Sequence, residues 1–150
     1  MQAKDIMTTE LIAVGKDASL KEVADLMVKH GISGIPVVDG DRLLGIVTES
    51  DLMVRAKKLR LPTLLPLIGG VIYLEGPARL EEEIRKMTAL KAEEIMTTNV
   101  HTIGPEESLE AIATLMVERK VNRLPVVEDG RIIGMITRSD VVRAVAAELE

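Results

Sequence analysis

Apolar residues at Leu20, Val23, Ala24, Met27 and Val28 recur three and four positions apart, the spacing of one helix face, and predict an amphipathic helix. Ser19 precedes that face with Glu22 three residues on, the signature of a capping box, and Gly31 supplies a stop. Beyond the glycine the pattern changes. Ile35-Pro36-Val37-Val38 and residues 43–48 are runs rich in β-branched side chains. Between them lies Asp39-Gly40-Asp41, which predicts a hairpin with the glycine at positive φ. A short extended run at residues 11–14 comes before the helix, and a second helix is expected after Ser50 and Asp51, both good N-cap residues. The unit reads strand, helix, strand, strand, helix.

That unit occurs twice. Residues 6–56 align with residues 95–145 at a constant offset of 89 without a gap, and 19 of the 51 positions are identical. Ile6-Met7-Thr8-Thr9 returns as Ile95-Met96-Thr97-Thr98, and Pro36-Val37-Val38 as Pro125-Val126-Val127. Gly45, Thr48, Ser50 and Asp51 return as Gly134, Thr137, Ser139 and Asp140. A unit of about 50 residues is marginal alone, so the two are expected to share a core with pseudo-twofold symmetry and equivalent clefts where they meet. The chain divides into residues 1–56, an insert at 57–93, and residues 94–150. Within the insert, an apolar stretch broken by Pro62, Pro66, Gly69 and Gly70 precedes a predicted helix at 77–89, with Leu80, Ile84 and Met87 as its stripe. Packing on the module or lining a dimer contact is the expected role of this insert.

Composition narrows the chemistry. Apolar residues make up 47% of the 150, enough for a core, while 19 basic against 24 acidic groups give a net charge of −5. No general attraction to nucleic acid or anionic membrane is expected, so any anion site must be local. The chain has no cysteine, which rules out thiol catalysis and thiolate metal cages. Tyr73 is its only aromatic residue, so a base has aliphatic walls rather than a stacking platform. The N-terminus carries no secretory pattern, and the apolar run at 61–74 is shorter than the roughly 20 residues of a spanning helix. A cytoplasmic protein with no transmembrane segment is expected.

The duplicated corner holds the candidate chemistry. Gly45-Ile46-Val47-Thr48-Glu49-Ser50-Asp51 and Gly134-Met135-Ile136-Thr137-Arg138-Ser139-Asp140 each set a hydroxyl at a strand end and a carboxylate three residues later, at a helix start. Unpaired N–H groups there favour a phosphate, and a carboxylate can accept from both hydroxyls of a ribose. The same residues are also ordinary helix caps, and the residues alone leave both readings open.

These paired patterns, Ile-Met-Thr, Pro-Val-Val and Gly-x-x-Thr-x-x-Asp, resemble tandem cystathionine-β-synthase (CBS) domains, the Bateman module, over residues 1–56 and 94–150. The resemblance implies an α/β fold of two β-α-β-β-α motifs packed with pseudo-twofold symmetry, a regulatory rather than catalytic role, and frequent homodimers. It implies clefts for AMP, ADP, ATP or S-adenosylmethionine. By the same resemblance Asp51 and Asp140 would bind ribose, and Thr48, Thr137 and Arg123 phosphate. The adenine pocket would comprise Thr8, Leu11, Ile12, Ser33, Gly34, Ile35 and Pro36, with Thr97, Val100, His101, Asn122, Leu124 and Pro125 from the second copy. Arg123 faces Gly34 in the repeat alignment, which predicts sites of different phosphate preference; a solvated surface charge is the competing reading of that arginine. His30 and His101 lie at non-equivalent positions, and no metal-ligand spacing or nucleophile–base pair is recognisable. The expectation is an adenine-nucleotide sensor acting on an unidentified protein in trans. The rivals are an S-adenosylmethionine or nucleoside sensor, and a ligand-free dimerisation module.

Overall fold

The computed structural model describes residues 1–58, 64–67, 70–73 and 77–150. Side chains are described for residues 1–57, 81, 82, 84–86 and 88–150. In the first repeat, a short helix α1 (Ala3–Ile6) leads to β1 (Val14–Gly15), α2 (Leu20–His30), the hairpin β2 (Gly34–Asp39) and β3 (Arg42–Thr48), and α3 (Glu49–Lys58). An antiparallel pair, β4 (Leu64–Leu67) and β5 (Gly70–Tyr73), and α4 (Pro77–Thr88) form the insert. The second repeat supplies α5 (Ala92–Ile95), α6 (Leu109–Arg119), β6 (Arg123–Glu128), β7 (Arg131–Thr137) and α7 (Arg138–Glu148).

One mixed sheet of five strands, ordered β1-β2-β3-β7-β6, runs through both repeats. Its halves meet only at Arg42 and Arg131, which are equivalent in the repeat, so the pseudo-dyad passes between them. Helices and buried strand faces make two main cores, one around Val23, Ile35, Val37 and Val47, the other around Ile112, Leu124, Val126 and Ile136. Strand alternation explains why these residues are inward while Gly34 and Pro36 can face elsewhere.

The sequence repeats are not the packing units. Ala3 belongs to the second core, with Ile6 and Met7 packed against it, whereas Ala92 and Ile95 belong to the first. Each leading helix thus crosses to the other half. Ala3 N donates to Glu107 O (2.8 Å) and Lys4 N to Pro105 O (2.9 Å). The equivalent bonds run from Ala92 N to Ala18 O (2.7 Å) and from Glu93 N to Lys16 O (3.1 Å).

Behind each leading helix, Thr97 pairs with Ile46 (N–H···O 2.8 and 2.9 Å) and Thr8 with Met135 (2.9 and 3.0 Å). Glycine makes room for the crossing. A Cβ on Gly45 would stand 2.7 Å from Met96 Sδ and 2.7 Å from the Thr97 carbonyl oxygen, and one on Gly134 would overlap Met7 Sδ.

Several local expectations change. The extended run at 11–14 is a strand only at its end, where Val14 pairs with Val37 in parallel. The box expected at Ser19 is half made: Ser19 Oγ accepts from Glu22 N at 3.1 Å, while the reciprocal bond is absent. The two hairpin turns differ in type. Gly40 alone has positive φ (64°) in the first, whereas Asp129 and Gly130 both do (52° and 79°) in the second, as an Asp-Gly type I′ turn requires. In the insert, Pro62 and Gly69 lie outside the described residues, as do the side chains of Leu80 and Met87; Ile84 is exposed.

Candidate functional site

Each hairpin ends on a threonine that caps the next helix. Thr137 N and Oγ1 both donate to Asp140 Oδ2, at 2.8 and 3.0 Å, and Asp140 N donates back to Thr137 Oγ1 at 3.4 Å. Thr48 and Asp51 repeat the arrangement at 2.8, 3.0 and 3.3 Å. The caps are therefore the threonines, one position ahead of the helices, and not the Ser50–Asp51 and Ser139–Asp140 pairs expected from sequence. A hydroxyl at N-cap and a carboxylate at N3 satisfy each other, which draws the helix start back to the strand end.

This geometry unites the two readings of the corner. One oxygen of each carboxylate completes the cap, and the other reaches beyond it. Asp51 Oδ1 accepts from Thr97 Oγ1 at 3.2 Å, across the seam from the other repeat. Asp140 Oδ1 accepts from Arg143 Nη2, one turn along the same helix. Asp140 is the one buried charged residue among the described residues, 6% exposed.

Two clefts open beside these corners, and the crossing of the leading segments decides their walls. The first, about 260 Å³, joins Thr48, Glu49 and Ser50 to Thr97, Val100 and His101 of the second repeat, with Asn122 and Arg123 as its far wall. The second, about 650 Å³, joins Thr137 and Asp140 to Thr8, Leu11 and Ile12 of the first repeat, with Ser33, Gly34 and Pro36 opposite. Each cleft is thus assembled from both copies. The larger falls within the usual range for small-molecule sites, roughly 300–1,000 Å³, and the smaller lies just below it.

Most sequence-predicted residues converge on these clefts, but four do not: Ile35, Leu124, Pro125 and Asp51. Ile35 and Leu124 are fully buried in the two cores, and Pro125 is fully buried as well. Ile35, Leu124 and Pro125 line neither cleft; for Ile35 and Leu124 this is because alternate residues of a strand face opposite sides and the motif matched the whole run, whereas Pro125 is buried although its repeat equivalent Pro36 lines the second cleft. Asp51 is set back from the first cleft and touches its lining through Thr97. Sequence reasoning missed Glu49, Asn99 and Lys120 in the first cleft, and Glu10, His30 and Arg143 in the second. Arg143 had a signal in its i, i+3 spacing from Asp140; the others depend on which repeat's loop comes across.

Arg123 is half-buried at the seam, where Nη2 donates to Ser33 Oγ. Burial lowers its pKa, and the nearby negative charges of Glu49 and Asp51 raise it again. A guanidinium in that position remains a cation at any ordinary pH. No group of three or more His, Asp or Glu among the described residues could hold a metal ion, and no described helix is long and apolar enough to cross a membrane.

The fold and its paired clefts define a tandem-repeat α/β module in which two copies of one motif share each site. The CBS domain family model matches residues 3–58 and 92–147, and the chain belongs to that family. It is 35% identical over 155 residues to an uncharacterised protein of Methanocaldococcus jannaschii, covering 96% of this chain and 90% of the relative. An inosine-5′-monophosphate dehydrogenase of Korarchaeum cryptofilum is 31% identical over 141 residues, but there the match spans 93% of this chain and only 23% of the enzyme. Among solved structures, CBSX2 in complex with AMP aligns with a TM-score of 0.76 at 28% identity, over 99% of this chain and 98% of that one. A CBS domain pair in complex with methylthioadenosine and S-adenosyl-L-methionine aligns at 0.73 and 25%, over 99% and 98%.

Proposed function

We propose that this chain is an adenine-nucleotide sensor of the regulatory, non-catalytic kind, binding AMP, ADP or ATP in the clefts between its repeats. The observation that carries the reading is the duplicated threonine–aspartate corner, placed in each case beside a cleft walled by the opposite repeat. Thr48 and Thr137 stand where a hydroxyl and the helix N-terminus would meet a phosphate, and Asp51 and Asp140 each have one oxygen outside the cap, held by Thr97 and by Arg143, for which a ribose hydroxyl would compete. Leu11, Ile12 and Val100 supply aliphatic surfaces for the adenine. The AMP-bound structural neighbour supports the ligand class. The sensor acts as a homodimer, and its conformation is read by a protein partner in trans.

A second reading, an S-adenosylmethionine or related nucleoside sensor, is favoured by the neighbour solved with methylthioadenosine and S-adenosyl-L-methionine. Glu49 in the first cleft suits its sulfonium cation.

Thermal shifts with AMP, ADP, ATP and S-adenosylmethionine test these readings on the parent chain and on Asp51→Ala and Asp140→Ala. A ligand at 100 times its Kd adds about 2.7 kcal/mol per site, which for a chain of this length is roughly 5–10 °C. Each substitution should remove the shift from its own cleft. Shifts untouched by both would reject the corner as the site, and no shift with any adenosine compound would leave a dimerisation module.

A further inference from the structure

Positions 34 and 123 are equivalent in the repeat, and the fold lays one directly over the other. A Cβ built on Gly34 would stand 2.6 Å from both Cδ and Nε of Arg123 and 2.9 Å from its Cζ. The side chain from one repeat fills the space that a side chain from the other would need, so the seam has room for a single arginine. Glycine at 34 is the complement of arginine at 123. Arg123 lines both clefts, and so does Ser33, which accepts its hydrogen bond.

We propose that Arg123 is a phosphate-binding group shared by the two clefts, so that a phosphorylated adenosine ligand is held tightly in only one of them at a time. The inference rests on the adenosine-pocket reading above. A guanidinium grips a phosphate with a planar fork of donors, and a fork turned into one cleft is withdrawn from the other. The guanidinium that would grip a second phosphate is then already engaged, leaving only the exposed Lys120 in the first cleft or Arg143, itself tied to Asp140, in the second, and that phosphate meets a like charge across the seam. Adenosine, with no phosphate, does not call on Arg123 and is free of this competition. Two clefts that look equivalent by their Thr–Asp corners therefore behave as alternatives toward AMP and as independent sites toward adenosine.

Isothermal titration of the full chain with AMP and with adenosine tests this. Adenosine should fill two sites per chain independently, and AMP should fill one tightly and a second more weakly by at least tenfold beyond any difference adenosine shows between the two. Single-cleft variants separate sharing from ownership by one cleft. With Asp51→Ala or Asp140→Ala disabling one side, adding Arg123→Gln should weaken AMP at the remaining cleft about tenfold or more in both backgrounds. Adenosine should change less than about twofold, which also reports that each variant is folded; Asp51→Asn and Asp140→Asn serve where alanine unfolds the chain. An Arg123→Gln effect in only one background would overturn the sharing, as would two equal and independent AMP sites in the parent, while the pocket reading stood. If adenosine and AMP both failed to bind the parent chain, the pocket reading itself would fall and the sharing with it.

Discussion

The crossing of the leading segments makes an asymmetric prediction about two glycines that the sequence presents as equals. In Gly134→Ala the three atoms nearest the new methyl all belong to Met7: Sδ and, 2.8 and 3.0 Å away, Cγ and Cβ. A flexible thioether can swing aside. In Gly45→Ala the methyl meets Met96 Sδ, but also the Thr97 carbonyl oxygen at 2.7 Å, and that oxygen accepts from Ile46 N at 2.9 Å. Relief there requires the backbone bridge itself to move. Overpacking of this kind costs about 1–3 kcal/mol, so Gly134→Ala belongs near the lower end and Gly45→Ala near or above the upper. At roughly 2–4 °C per kcal/mol, the two variants should be several degrees apart in Tm.

Urea denaturation of a double-mutant cycle isolates the cause. Met7→Ala in the Gly134→Ala background should recover most of the loss caused by the added methyl, whereas Met96→Ala in the Gly45→Ala background should recover little, because the carbonyl remains. Equal costs for the two glycines, or full rescue by Met96→Ala, would refute the account of how the segments cross.

Two further outcomes follow from local geometry. Lys120 caps α6 in the left-handed region (φ 53°, ψ 44°), where its equivalent in the other repeat is Gly31 at φ 61°, ψ 37°. Lys120→Gly should stabilise the chain by about 0.5–1 kcal/mol, read as a higher urea midpoint with an unchanged slope, since the strain of a Cβ in that region exceeds the added freedom of the unfolded chain. Arg131 pairs with Asp41 at 3.2 Å, with both side chains largely exposed; Arg131→Ala should leave the urea midpoint nearly unchanged, because exposed pairs contribute little.

How much of this was legible depended on the kind of signal. Helical spacing in Leu20, Val23 and Met27 and the β-branched runs mark the core, because burial imposes those periods directly, but Val28, expected on the same face, is 83% exposed because it sits at the edge of the stripe. The caps lie at Thr48 and Thr137, two to three residues ahead of the Ser–Asp pairs expected, since Thr, Ser and Asp close together are all competent caps and only the reciprocal bonds choose among them. Ile35 and Leu124 were drawn into the pocket by a motif that does not distinguish the faces of a strand. The crossing itself was invisible, because an ungapped repeat aligns identically whether a leading helix packs on its own unit or on its neighbour. Gly45 and Gly134 were its only trace, each a missing side chain at the point where a foreign strand passes.

The crossing bears on how such a module could switch. A ligand shifts an equilibrium between two arrangements only through its difference in affinity for them, and reversing a 1:99 population needs about 5.5 kcal/mol. One ligand at 100 times its Kd, bound by a single arrangement, supplies about 2.7 kcal/mol, so two filled clefts suffice where one does not. Each cleft here joins a corner of one repeat to the leading segment of the other, so occupancy of either acts on the same seam and the two contributions add. If Arg123 serves one phosphate at a time, a phosphorylated ligand at that concentration supplies the first half and, from a second cleft at least tenfold weaker, at most about 1.4 kcal/mol more. Completing the switch would then require an unphosphorylated adenosine compound in the second cleft, which makes the module responsive to a pair of metabolites in place of the level of one.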